Sequence, residues 1–264
     1  MYAERLKIFT QLYNKISSAY GSTQVFSDFV KMCAISIYNA FAKNKEMEKE
    51  YLQTINSYTK EYQLIFSKMF GELIMMYEES NGIMDILGPF YEKENLGNSH
   101  LGQFFTPSHI SDFMAEISLE DEEKLKTIID KRGFVSMCEP TCGAGGMILS
   151  TAKALERRNI DYQQELLVEA TDISEVCVYM AYIQLSLYGI PAIVYCGNAL
   201  ANEFRFKMET PFFFLNYWKF RKFYMQNSDG LQESNEKSII ENAVKNQDLF
   251  KEVTIKGNCQ VSLW

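Results

Sequence analysis

Two histidines, His100 and His109, are all that the 264 residues contain. That number leaves no Cys/His cluster with zinc-ligand spacing, so no metal site is expected. It also gives histidine-based nucleophilic catalysis little support. The six cysteines, Cys33, Cys138, Cys142, Cys177, Cys196 and Cys259, are scattered and mostly lie in apolar stretches. They read as buried free thiols rather than a disulfide framework. No apolar run reaches the ~18 residues that a membrane span needs. The opening MYAERLKIFTQLYNK has no signal-peptide apolar stretch. A soluble, cytoplasmic protein without membrane contact is expected. Excess basic charge is missing too. The formal net charge is −8, the wrong sign for a strong autonomous DNA binder. The deficit is uneven: residues 1–97 carry −2, residues 98–205 carry −7 and residues 206–264 carry +1. Nucleic-acid contact is therefore expected late in the chain. No internal repeat is visible, and the only low-complexity stretch is polar, at residues 226–238.

What is present begins as helices. Leu6, Phe9, Tyr13, Ile16 and Tyr20 recur at helical spacing until Gly21-Ser22-Thr23 breaks it. Phe26, Phe29, Val30, Cys33, Ile37 and Phe41 form a second apolar face. Met47, Tyr51, Ile55, Tyr58, Tyr62, Ile65 and Met69 predict a long third helix, and Glu72 to Glu79 a short fourth. Residues 1–95 read as a helical domain and residues 96–264 as an α/β core. After the loop LGNSHLGQFFT, Thr106-Pro107 predicts a helix start, with Thr106 as cap and Pro107 at the first position. Ile110, Phe113, Met114 and Ile117 form its apolar face. From residue 134 short apolar runs alternate with helical patterns: FVSMC, LLVEATD, AIVYCGNAL and PFFFLNYW read as four strands. That alternation predicts a parallel α/β sheet. EVTIKGNCQVSLW reads as a hairpin turning at Gly257-Asn258.

The strongest motif is Glu139-Pro140-Thr141-Cys142-Gly143-Ala144-Gly145-Gly146. It ends a strand and opens a helix, the place where doubly wound sheets bind ligands. Glycines there let a ligand approach the backbone without meeting a Cβ. A bare strand–helix turn would look the same. Asp172 ends the second strand, where a carboxylate can accept both hydroxyls of a ribose or simply cap the next helix. Asn198 ends the third, as an adenine contact or an ordinary loop residue.

These segments, with Gly102-Gln103-Phe104-Phe105-Thr106-Pro107 ahead of them, resemble the adenine-N6 DNA methyltransferases. The nearest group is the modification subunit of type I restriction–modification systems. Asp85-Ile86-Leu87-Gly88-Pro89-Phe90-Tyr91-Glu92 resembles that group's link between helical domain and catalytic core. The resemblance covers residues 85–216. It implies a Rossmann-like S-adenosyl-L-methionine-dependent core behind the N-terminal helices. It also implies that Phe105, Thr106 and Pro107 line the methionine end of the cofactor, that Glu139, Pro140, Gly143 and Gly145 frame it, and that Asp172 holds the ribose. Asn198 stands where the family has an acidic residue facing adenine.

The family's catalytic motif, Asp or Asn followed by Pro-Pro and an aromatic, is matched only in part by Asn216-Tyr217-Trp218. Asn216 would accept a hydrogen from the target amino group, and Tyr217 and Trp218 would stack on a flipped base. Both prolines are absent, and an aromatic strand end packing inward explains the same residues. Lys219, Arg221 and Lys222, interleaved with Trp218, Phe220, Phe223 and Tyr224, suit nucleic-acid contacts or a solvated face over buried aromatics. Only 48 residues follow Asn216, too few for a target-recognition domain. The expectation is weak DNA binding by the isolated chain, with a specificity or other subunit as partner, or a shortened relative that keeps the fold as a cofactor- or partner-binding module.

Overall fold

The computed structural model describes residues 2–97, 105–218 and 221. Four helices open the chain: α1 (Tyr2–Tyr20), α2 (Ser22–Ala42), α3 (Lys45–Asn56) and α4 (Lys60–Glu78). Gly21, at φ +86°, separates the first two. The Asn44 side chain accepts from the amides of Glu46 and Met47 and so caps α3. The long third helix expected from the apolar spacing is two helices, and the expected short fourth is the end of α4. The break lies at residues 57–59. There the Gln63 side-chain amide donates to the carbonyls of Ile55 and Tyr58. The Tyr58 ring stays buried and its hydroxyl donates to Asp28 Oδ2 at 2.6 Å. The apolar phase therefore runs through the break unchanged.

Three short helices lead to the sheet: α5 (Leu87–Lys93), α6 (Ser108–Ser118) and α7 (Glu122–Arg132). Pro107 takes the cap position of α6 and Thr106 lies outside it, so the helix starts one residue later than the sequence pattern predicts. The apolar face of α6 is not its buried face. Ser111 and Ala115 are buried, whereas Phe113 and Ile117 are 63% and 66% exposed. Polar bonds join α6 to the following helix α8 (Gly146–Arg157): Asp112 accepts from Ser150 and Lys153, and Glu116 pairs with Arg157 and Arg158.

The sheet contains β1 (Val135–Glu139), β2 (Leu166–Asp172), β3 (Ala192–Asn198) and β4 (Glu203–Glu209), in that order across it. α8 and the single turn α9 (Tyr162–Glu165) connect β1 to β2, and α10 (Glu175–Leu187) connects β2 to β3. β1, β2 and β3 are parallel. Here the fourth-strand expectation is corrected. β4 is EFRFKME and runs antiparallel to β3, Glu203 opposite Asn198 and Glu209 opposite Ile193. PFFFL is instead the short helix α11 (Pro211–Leu215). Pro211 sits at its first position, where its fixed φ and missing N–H suit a helix start. The Thr210 hydroxyl donates to Ile190 O and accepts from Ala192 N–H, which fixes the corner.

The core is continuous from the helical region into the sheet. Phe9, Tyr13 and Phe26 ring the α5 residue Phe90 at centroid distances of 5.1 to 5.7 Å, and the same cluster takes in Ile148, Val168 and Val194. By length and composition α2 passes as a membrane-crossing helix, but half of that window is buried inside this chain, as in a core helix. The five described cysteines form no disulfide. Burial pushes the Cys177 thiol up to about 12. The segment 102–104, the Lys219–Tyr224 run apart from Arg221, and the Gly257-Asn258 hairpin lie outside the described residues.

Candidate cofactor site

β1 ends in a tight turn because two of its residues take backbone angles that side chains avoid: Gly143 at φ +53° and Gly145 at φ +95°. The turn is tied to its neighbour strand. Cys142 N–H donates to Thr171 O at 2.8 Å, and Gly143 N–H donates to Asp172 Oδ2 at 2.9 Å. The other oxygen of Asp172 accepts from Ser174 N–H at 2.8 Å, opening α10. Asp172 thus braces both the glycine turn and Ser174, the residue that takes the cap position of α10.

Phe105 comes to this turn from the linker ahead of α6. A Cβ built on Gly143 would lie 3.0 Å from two carbons of the Phe105 ring, so the ring occupies the space that the missing side chain leaves. Phe105 is held from behind. Its N–H donates to Glu92 Oε1 at 3.0 Å, and its ring leans on Tyr91 at 5.6 Å. Thr106 and Pro107 follow, exposed, at the start of α6. Glu139 is half-buried at the end of β1, with Oε1 accepting from Thr141 N–H at 3.3 Å. Burial raises its carboxyl above the ordinary range, and the Thr141 bonds offset part of that. Pro140 is exposed beside it. Among the described residues neither Glu139 nor Asp172 makes an ion pair, so two carboxylates border one end of the sheet with no cation against them.

Asn198 lies at the same end, at the tip of β3, but its oxygen is already in use. It accepts from the amides of Leu200 and Ala201 at 3.0 and 3.1 Å, which makes it the loop residue of the β3–β4 turn. Ile173, directly after Asp172, is 67% exposed. An apolar side chain held open beside a carboxylate suits the face of a flat ring, and its place in the LLVEATDI run was the available signal.

Asn216, Tyr217 and Trp218 are not at this end. Because β4 runs antiparallel, it carries the chain back to the opposite edge of the sheet. Asn216 Nδ2 donates there to Gln163 O at 2.6 Å, just ahead of β2. The six residue steps of β2 that separate that edge from Asp172 span about 20 Å. Trp218 is fully buried, edge-on to Phe134 at 5.0 Å, with the Arg221 guanidinium 4.0 Å from its ring. Arg221 is fixed by the carbonyls of Gln164 and Gly133. Tyr217 is exposed at φ +54°. The structure does not bring these three residues to the glycine turn: Trp218 is core, and Asn216 ties α11 to α9.

Among the described residues no group of three or more His, Cys, Asp and Glu is placed to hold a metal ion. The glycine turn, the N-terminus of α8, the two carboxylates and the Phe105 wall together define a nucleoside-cofactor-binding α/β protein. The chain matches the N-6 DNA methylase family over residues 83–246 and belongs to it. S-adenosylmethionine is the cofactor this membership implies. The residues fit it: a tight turn at the N-terminus of α8, a carboxylate for the ribose, and carboxylates without an ion-pair partner for a sulfonium cation. No curated protein matches the chain. Among solved structures it is similar to a putative class I S-adenosylmethionine-dependent methyltransferase from Listeria monocytogenes, at 14% identity and a TM-score of 0.44, over 76% of this chain. The likeness spans 55% of that protein's length.

Proposed function

We propose that this chain holds the methyl donor for methylation of adenine N6 in DNA, within a restriction–modification-like assembly in the cytoplasm. The observation that carries this reading is the joining of Phe105, Gly143 and Asp172 at one sheet end in a chain of the N-6 DNA methylase family. When bound, S-adenosylmethionine supplies a methyl group on a positively charged sulfur. Glu139 and Asp172 favour that cation, Gly143 admits the Phe105 ring against the turn, and Phe105 shields one side from water. The amino group that takes the methyl must lose a proton, and a hydrogen-bond acceptor has to meet it. Asn216 is about 20 Å away, so that acceptor is a different group. Recognition of DNA is assigned to a partner subunit, consistent with the charge of −8.

A second reading rests on the same distance. A family member whose only partial match to the catalytic motif is turned into core would act as a cofactor- or partner-binding module without transfer. Incubation with DNA, labelled cofactor and the proteins encoded beside it separates the two. Label recovered as N6-methyladenine supports the first reading. Cofactor binding with no label in DNA under any combination supports the second.

A further inference from the structure

α10 reads EVCVYMAYIQLSL, and Gln184 is a fully buried amide in that apolar run. Its Nε2 donates to Ala144 O at 2.7 Å and to Asp85 Oδ1 at 2.9 Å. Its Oε1 accepts from the Tyr77 hydroxyl at 2.8 Å, from Ile86 N–H at 2.8 Å and, more weakly, from Leu87 N–H at 3.3 Å. Two donors and two lone pairs are all that an amide offers, and all are used. The orientation is fixed by chemistry: backbone N–H groups can only face the oxygen, and the Ala144 carbonyl can only face the nitrogen. Ala144 lies between the two left-handed glycines of the cofactor turn. Among the described residues its carbonyl accepts from this one side chain.

The partners on the other side belong to the helical region. Tyr77 is on α4. Asp85, Ile86 and Leu87 lead into α5, whose far end holds Phe105 through Glu92 and Tyr91. Both walls of the cofactor site, the turn and the Phe105 ring, are thus fastened to one element. A buried polar network with every group satisfied fixes geometry more sharply than apolar packing of equal volume, because any shift leaves a group unpaired. We propose that Gln184 is the positioning residue of the cofactor turn, and that through it donor binding depends on the helical region. The proposal rests on the donor assignment above.

The test compares Gln184→Glu, Tyr77→Phe and a destabilised control, Ile65→Ala on α4, with wild type. Gln184→Glu keeps the acceptor for Ile86 and Tyr77 but sets an acceptor against the Ala144 carbonyl. Two measurements are made on each: affinity for S-adenosylmethionine by calorimetry, and backbone hydrogen exchange in the ligand-free protein. Gln184→Glu is expected to weaken binding at least tenfold and to speed exchange at residues 84–88 and 141–146, with β2 and β3 unchanged. The control loses stability and keeps wild-type affinity. A folded Gln184→Glu with affinity within twofold of wild type and unaltered turn exchange overturns the proposal. If that variant does not fold, Tyr77→Phe decides: a threefold or greater loss with faster turn exchange supports it, and wild-type values overturn it. If wild type binds no cofactor, the donor assignment fails instead, and turn exchange alone judges Gln184 in the same two directions.

Discussion

Gly143 and Gly145 differ in a way that one pair of substitutions can read. Gly143→Ala adds a methyl at a left-handed residue, φ +53°, which disfavours an L side chain by ~1–2 kcal/mol. Its Cβ also lies 3.0 Å from two carbons of Phe105, so the ring must move by a few tenths of an ångström. The melting temperature should fall by about 2–8 °C, at about 2–4 °C per kcal/mol for a chain of this size. The moved ring is the wall of the donor site, so affinity should fall about tenfold, or ~1.4 kcal/mol. Gly145→Ala makes the contrast. Its Cβ would meet Ala181 at 3.6 Å, an ordinary contact, while φ +95° strains the backbone further. It should lower the melting point at least as much and weaken binding far less. Thermal unfolding with and without S-adenosylmethionine reads both effects at once, since saturation at a hundred times Kd raises stability by ~2.7 kcal/mol. Equal affinity loss in both variants, or none in Gly143→Ala, would refute the account of Phe105.

Asn216→Ala should lower stability by ~1 kcal/mol through the lost bond to Gln163 O and leave cofactor affinity unchanged, whereas Trp218→Ala, at a fully buried site, should remove ~3–5 kcal/mol; chemical denaturation and calorimetry measure both. The α6–α8 contact should weaken in acid. Burial alone would raise Asp112 and Glu116, but Lys153 and Ser150 on the first, and Arg158 and Arg157 on the second, hold both below their ordinary 3.8 and 4.5. A lowered folded-state pKa gives stability that is full above those ordinary values and lost as pH falls through the lowered ones. Lys153→Met should flatten that acid limb in a pH series of melts, and an unchanged limb contradicts the assignment. The isolated chain should bind DNA weakly and with strong salt dependence; tight sequence-specific binding at physiological salt in a mobility assay counts against the need for a partner.

The elements that the sequence made legible are those whose pattern is local. FVSMC, LLVEATD and AIVYCGN are apolar runs bounded by turn residues, and they are β1, β2 and β3. The glycine turn, Asp172 and Phe105 were legible as separate motifs, and the fold joins them. β4 was legible but overlooked: Glu203, Arg205 and Lys207 alternate with Phe204, Phe206 and Met208 in strict period two, the pattern of a strand with one wet face. The denser apolar run PFFFL drew the assignment instead, although Pro211 marks a helix start. The position of Asn216 was not legible, because it turns on the direction of β4. A parallel strand would have delivered Asn216 to the end where Gly143 lies, and the antiparallel one delivers it to the other. Gln184 left one local sign, a lone amide in an apolar helix, but its partners lie 40 to 107 positions away.

The continuous core has a practical consequence. Phe90 is enclosed by rings from α1 and α2, and Tyr77 reaches α10 through Gln184. Cutting the chain near residue 95 would part Tyr38 from Tyr182 and Tyr77 from Tyr188 and Gln184, and so expose buried surface on both fragments. A helical region grafted from another protein would have to supply the same partners to Gln184 and Tyr182.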